Sequence, residues 1–208
     1  MSHLLPDADV VAAYRGVRSR LIELLRELPE EQAVTMVPCC PAWNVAELAS
    51  HVVGLVDDIL ENRMEGVTTD PWTQAQVERL RGLTLAQLAD HYEASIERFD
   101  TVLPFVPSPV NSQLVMDAVT HEHDLRDAVG RRDAEDSLAV QVAVGWLLDM
   151  VEGKHPGLVA QLEATGVSTF DLLRSLTGRR STTQMAALGL PADTIVAALA
   201  GTPLKPPA

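Results

Sequence analysis

Apolar residues recur at intervals of three and four through four long segments, and this spacing commits the chain to helices that must bury one face against each other. The first segment runs from about Asp7 to Leu28, with Val10, Val11, Tyr14, Val17, Leu21, Leu24 and Leu25 in one stripe, and stops before Pro29. The second follows Pro41, with Asn44 placed to cap it and Glu47 three residues on as a capping-box partner. Its buried face is Val45, Leu48, Val52, Leu55, Val56 and Ile59, up to Gly66, and a loop through Thr68, Thr69, Asp70 and Pro71 is expected next. The third segment has Thr84 as cap and Gln87 at the box position, carries Leu85, Leu88, Tyr92, Ile96 and Phe99, and ends at Pro104, Pro107 and Pro109. The fourth spans about Asn111 to Val129 and ends at Gly130.

Shorter helical pieces are expected after it, at about Ser137 to Glu152, His155 to Ala164, Thr169 to Thr177 and Ala192 to Ala200. Four antiparallel helices of about twenty residues with short helices after them make an all-α bundle. The composition agrees: hydrophobic residues are 47% of the chain and aromatics only 4%, and the apolar share is mostly Ala, Val and Leu. The expected organisation is a bundle with its following helix over 1–153, a short helical extension packed on it over 154–202, and a disordered tail over 203–208.

Charge narrows the partners. The 208 residues hold 16 Lys and Arg against 29 Asp and Glu, a net charge of −13. A chain this acidic repels polyanions, so neither nucleic acid nor an anionic membrane is an expected partner. No run approaches the ~18 consecutive apolar residues of a membrane span, and the start, Met1 to Asp7, lacks the basic and apolar blocks of a signal peptide. A soluble, cytoplasmic protein is expected. The two cysteines, Cys39 and Cys40, are adjacent, which cannot staple a fold and fits a reducing compartment.

Candidate chemistry lies on two segments. In the fourth, Leu114, Ala118, His121, Leu125 and Ala128 share a helical face, and Asp117 stands on its edge one turn before His121. His51 sits between Leu48 and Leu55 at the margin of the second stripe. Three polar groups aimed at one interior cost free energy unless paired or metallated. A divalent metal held by His51, Asp117 and His121 satisfies all three and leaves positions for water or substrate; a simple Asp117–His121 hydrogen bond is the alternative. His123, two residues from His121, is expected to face solvent, and His91 is the reserve ligand, otherwise a surface residue beside Glu93. Asp124, one turn beyond His121, either orients that imidazole or balances Arg126 or Arg131 at the surface. Trp43 is expected to anchor the helix start, or else to line a pocket mouth. Cys39 and Cys40 are read as structural, because the helical stretch from Ala42 to His51 spans on the order of 13 Å.

The segment Cys40-Pro41-Ala42-Trp43-Asn44-Val45-Ala46-Glu47-Leu48-Ala49-Ser50-His51 resembles the PGW-T-V-x-D-L-x-x-H signature of the mycothiol-dependent maleylpyruvate isomerase family, within the wider DinB-like metal-binding bundles. Asp117, His121 and Asp124 fall where that family shows an acidic residue, a His four later and an Asp three beyond. Thr169 to Ser181 resembles its LL-R-x-L-x-G-R-R-S stretch.

The resemblance implies an up-down-down-up four-helix bundle, a metal on His51, Asp117 and His121, and a low-molecular-weight thiol such as mycothiol as cosubstrate. The implied activity is S-transfer to, or isomerisation of, a small electrophilic substrate. Zn²⁺ is the expected metal, with Ni²⁺ and Fe²⁺ as alternatives. By their own chemistry, Arg179 and Arg180 either bind a carboxylate of thiol or substrate, which guanidinium forks suit, or are solvated surface charge. The chain departs from the isomerase at Asp117, where a Glu is usual, and in its last third, which reads as short helices where the isomerase carries an α/β domain. A non-catalytic metal- or ligand-binding bundle is the competing function, an iron site on the same donors is a third, and a homodimer is carried as an expectation.

Overall fold

The computed structural model describes residues 2–204 and 206, so the expected tail at 203–208 is only partly covered: 205, 207 and 208 lie outside the described residues. Among the described residues there are eleven α-helices and no strand, only an isolated bridge between Met36 and Asn44. They are α1 (Asp7–Glu27), α2 (Val45–Leu60), α3 (Asp70–Leu80), α4 (Leu85–Ala94), α5 (Ile96–Val102), α6 (Val110–Ala128), α7 (Leu138–Lys154), α8 (Leu158–Ala164), α9 (Thr169–Leu176), α10 (Thr182–Ala187) and α11 (Ala192–Leu199). None is long and apolar enough to cross a membrane.

Local signals explain most boundaries. Asn44 Oδ1 accepts from Glu47 N at 2.9 Å while Glu47 Oε2 accepts from Asn44 N at 3.0 Å, so the capping box opens α2 as expected. Thr84 and Gln87 make the same reciprocal pair at the start of α4. Gly130 adopts a φ of +69°, which lets Arg131 N return to Arg126 O at 2.9 Å and close α6.

Three expectations need correction. The helix expected to reach Gly66 stops at Leu60, because Asn62 takes a left-handed φ of +54° and Arg63 N bonds back to Asp58 O. The third segment is broken at Ser95, whose hydroxyl donates to Tyr92 O at 2.7 Å and competes with the helical ladder. The stretch read as a loop opens α3, with Asp70 and Pro71 in its first turn.

The chain resolves into two compact units. One comprises Tyr14–Pro107 and His121–Asp133, and the other the residues up to Ala13, Ser108–Thr120 and those from Ala134 onward.

In the first, side-chain pairs record helix direction. Arg18 meets Asp100, and Arg26 meets Asp90 and Glu93, so α1 runs antiparallel to α4 and α5. Arg20 meets Glu122 and Glu27 meets Arg131, so α1 and α6 run the same way. Asp57 with His91 and Glu61 with Arg98 make α2 parallel to α4 and α5. The order is therefore up-down-down-up, and two successive parallel helices need a long return, which residues 61–84 and α3 provide. The core of this unit includes Tyr14, Leu21, Leu25, Leu48, Leu88, Tyr92 and Phe99, with the Tyr14 and Tyr92 hydroxyls 3.1 Å apart.

In the second unit, α7 is the central element, with Val140, Ala143, Leu147 and Val151 fully buried. The N-terminal segment is tied to it by Ser2 and His3, which bond the Asp149 carboxylate. Gly145 makes that approach possible, since a Cβ there would collide with the carbonyl oxygen of His3. Gly145→Ala is therefore expected to destabilise the protein by about 1–3 kcal/mol through overpacking, despite a helix-propensity gain near 1 kcal/mol. Urea unfolding of the two proteins checks this; an unchanged or higher midpoint would contradict the packing.

Candidate metal centre

Two groups of ligand-type side chains converge among the described residues, and they share His121. The ligand atoms of His51, Asp117 and His121 all lie within 4.8 Å of one another, as do those of Cys40, His121 and Asp124. The first is the expected set. α6 supplies two of its members, and helical periodicity alone brings Asp117 one turn before His121. His51 comes from α2, with its ring centroid 5.0 Å from that of His121 in an edge-on arrangement. Both imidazoles are buried. Ligand atoms held by one zinc in a tetrahedron stand roughly 3.3 Å apart, so modest side-chain adjustment brings these donors onto one ion. Two imidazoles and one carboxylate are a donor set that zinc, nickel and ferrous iron all accept.

A hydrogen bond at Nδ1 of each ring orients the two imidazoles. His121 Nδ1 stands 3.2 Å from Asp124 Oδ2, and a carboxylate there accepts from Nδ1–H, which in the neutral ring leaves the lone pair on Nε2. Asp124 is fully buried, while Arg126 and Arg131 pair with Glu122 and Glu27, so of its two expected roles the structure places it against the imidazole. His51 Nδ1 stands 2.7 Å from Gln76 Oε1 on α3. Gln76 Nε2 donates to Asp58 Oδ2 at 2.8 Å, and Asp58 accepts from Arg63 Nε at 2.8 Å and from Arg79. Gly54 lets α3 come this close: a Cβ there would sit 2.7 Å from Gln76 Cβ.

Burial pushes the Asp58 carboxyl up, but bonds from Arg63, Gln76 and Arg79, with the Arg79 charge, outweigh it and hold the group below its ordinary range. A carboxyl with a folded pKa below its unfolded value near 3.9 contributes stability that is complete above that pH and lost as pH falls through the folded value. The stability gap between wild type and Asp58→Asn is accordingly expected to stay constant from about pH 7 to 5 and to narrow below about 4. Urea midpoints of both proteins across that range decide it, and a gap as wide at pH 3 as at pH 7 contradicts an ionised Asp58.

Several sequence expectations are corrected here. His123 is buried at 3% exposure instead of facing solvent, because α6 is enclosed around its whole circumference in this stretch. Cys40 does approach the centre. Its Sγ lies 3.7 Å from Asp124 Oδ2, because α6 brings His121 and Asp124 toward the residues that precede α2; the stretch from Ala42 to His51 separates Cys40 from His51 but not from α6. Trp43, just before α2, needs no correction: its ring lies tilted against that of His51 with centroids 5.3 Å apart, which agrees with the second of its two expected roles. His91 needs none either: it pairs with Asp57 on an exposed face, in keeping with its surface reading and not with the ligand role held in reserve.

Arg179 bonds the Thr177 carbonyl and Arg180 pairs with Asp171 at 3.2 Å, both within the other unit. Sequence reasoning missed Gln76, Asp58 and Glu122. Glu122 has no exposed surface and is held by Arg20 through two bonds of 2.8 and 2.7 Å and by Arg126 at 3.0 Å.

Compared with known proteins, residues 14–139, more than half of the chain, match the model of the family described as Mycothiol maleylpyruvate isomerase N-terminal domain. No curated protein and no solved structure gives a match.

Proposed function

Given that this chain belongs to the mycothiol maleylpyruvate isomerase N-terminal domain family, we propose that it is a metal-dependent enzyme that uses mycothiol, or a similar small thiol, on a small electrophilic substrate. The observation that carries the proposal is the convergence of His51, Asp117 and His121. A divalent metal bound there supplies positive charge that lowers the pKa of a thiol or offsets negative charge developing on a substrate oxygen. The chain's own residues do the rest. Asp124 orients His121, Trp43 shields one side of His51, and the Asp117 carboxylate balances part of the added charge. Arg179 and Arg180 offer guanidinium forks for a carboxylate of thiol or substrate, Arg180 exchanging its bond to Asp171.

The reaction class proposed is conjugate addition. The thiol sulfur bonds to one carbon of an activated double bond, and the π pair moves onto the conjugated carbonyl. Rotation about the new single bond and expulsion of the thiolate then give the other geometric isomer. Protonation at carbon in place of expulsion leaves the S-conjugate. A Co²⁺-loaded sample titrated with mycothiol tests this: a change in visible absorption and mycothiol-dependent consumption of a cis-enoyl acid are expected. Absorption that changes without turnover would instead indicate a ligand-binding bundle, and absorption that does not respond to thiol would overturn the proposal.

A further inference from the structure

The hydrogen bonds behind His51 do more than hold a ring in place, because they run in one direction only. A glutamine amide has a donor end and an acceptor end that a half-turn exchanges, so its orientation must be read from its neighbours. Here one neighbour is a fully buried carboxylate that already accepts from two guanidiniums. Asp58 Oδ2 can only accept, and Gln76 Nε2 is the group 2.8 Å from it. Turning the amide over would set Gln76 Oε1 against Oδ2, two acceptors in a buried site with no proton between them, at a cost that nothing nearby offsets. The acceptor end of Gln76 therefore faces His51 Nδ1 at 2.7 Å, and an acceptor there requires a proton on Nδ1.

We infer that Asp58, acting through Gln76, fixes His51 as its Nδ1–H tautomer and so keeps the ring's lone pair on Nε2. Gln76 and Asp58 are positioning residues: Asp58 lies on α2 with the ligand they set, and Gln76 on α3 bridges the two. Gly54 is part of the device, since any side chain there would move Gln76 away from His51. The tautomer belongs to the metal-free protein; its consequence, a His51 prepared for metal, rests on the function proposed above.

The two are tested separately. Metal-free protein carrying ¹⁵N-labelled histidine is examined by long-range ¹H–¹⁵N correlation at a pH where His51 is neutral, and apparent Zn²⁺ affinity is measured by competition with a chromophoric chelator. Wild type is expected to show a protonated Nδ1. In Asp58→Asn the new amide can donate to Gln76, which is then able to turn over, so the tautomer is expected to invert or mix and Zn²⁺ affinity to fall by about 10–100-fold. Gln76→Met, which keeps the volume and removes the acceptor, is expected to lose the tautomer preference and a similar share of affinity, with far-UV circular dichroism unchanged. If Asp58→Asn does not fold, Gln76→Met decides the matter. A wild-type His51 protonated at Nε2, or a tautomer unaltered in the folded variants, overturns the inference. A tautomer that follows Asp58 in a protein that binds no Zn²⁺ upholds the relay and removes the metal reading alone.

Discussion

Glu122→Ala is expected to lower stability by about 3 kcal/mol, a large share of the 5–15 kcal/mol typical of a folded domain. The carboxylate is fully buried and binds two guanidiniums, so its removal leaves the nearly buried Arg126 without its counter-charge. Loss of one partner of a buried pair costs roughly 3–5 kcal/mol, and the lower end applies because Arg20 is one-quarter exposed and can rehydrate. At roughly 2–4 °C per kcal/mol for a chain of this size, thermal unfolding should fall by about 6–12 °C. Arg131→Ala, which removes only an exposed partner of Glu27, should change stability by less than about 0.5 kcal/mol. Equal effects from the two substitutions would contradict the view that burial, and not charge pairing itself, makes Glu122 important.

His121→Ala carries the largest functional effect. It removes one of three donors and is expected to reduce thiol-dependent turnover about 10³-fold, since a bound metal contributes several kcal/mol and each 1.36 kcal/mol is a factor of ten. Asp124→Asn preserves an acceptor near His121 Nδ1 while removing the charge, so its loss should be smaller, about 10–100-fold, and recoverable by raising the metal concentration. Cys40→Ser separates the two ligand groups that share His121: turnover close to wild type assigns the function to His51, Asp117 and His121, whereas a loss as deep as that of His121→Ala would move it to the group containing Cys40 and Asp124.

The ease of reading these residues from sequence follows from how each is placed. Asp117 and His121 are positioned relative to one another by one helix, so a period of 3.6 residues suffices. His51 needed the apolar stripe of α2 and a motif resemblance, because only packing brings α2 to α6. The capping boxes at Asn44 and Thr84 are local chemistry and were equally legible.

Where the partner lies far off in the chain, the reading failed. α3 has few apolar residues, Val77 and Leu80 being its buried ones, and its third buried side chain is the polar Gln76, which reads as surface until Asp58 and His51 are seen beside it. Thr69 with Pro71 was the overlooked start signal. His123 was misplaced because opposite the core means exposed only on a helix with a solvent side, and this part of α6 has none. Its polar residues signalled a surface, whereas Glu122 is buried between Arg20 and Arg126.

The most direct test is the metal content of protein purified without chelators, measured by plasma mass spectrometry on wild type, His51→Ala and His121→Ala. The account predicts close to one divalent metal ion per chain in wild type and almost none in either variant. Wild-type protein without stoichiometric metal, or variants that retain it, would contradict a centre built from these side chains.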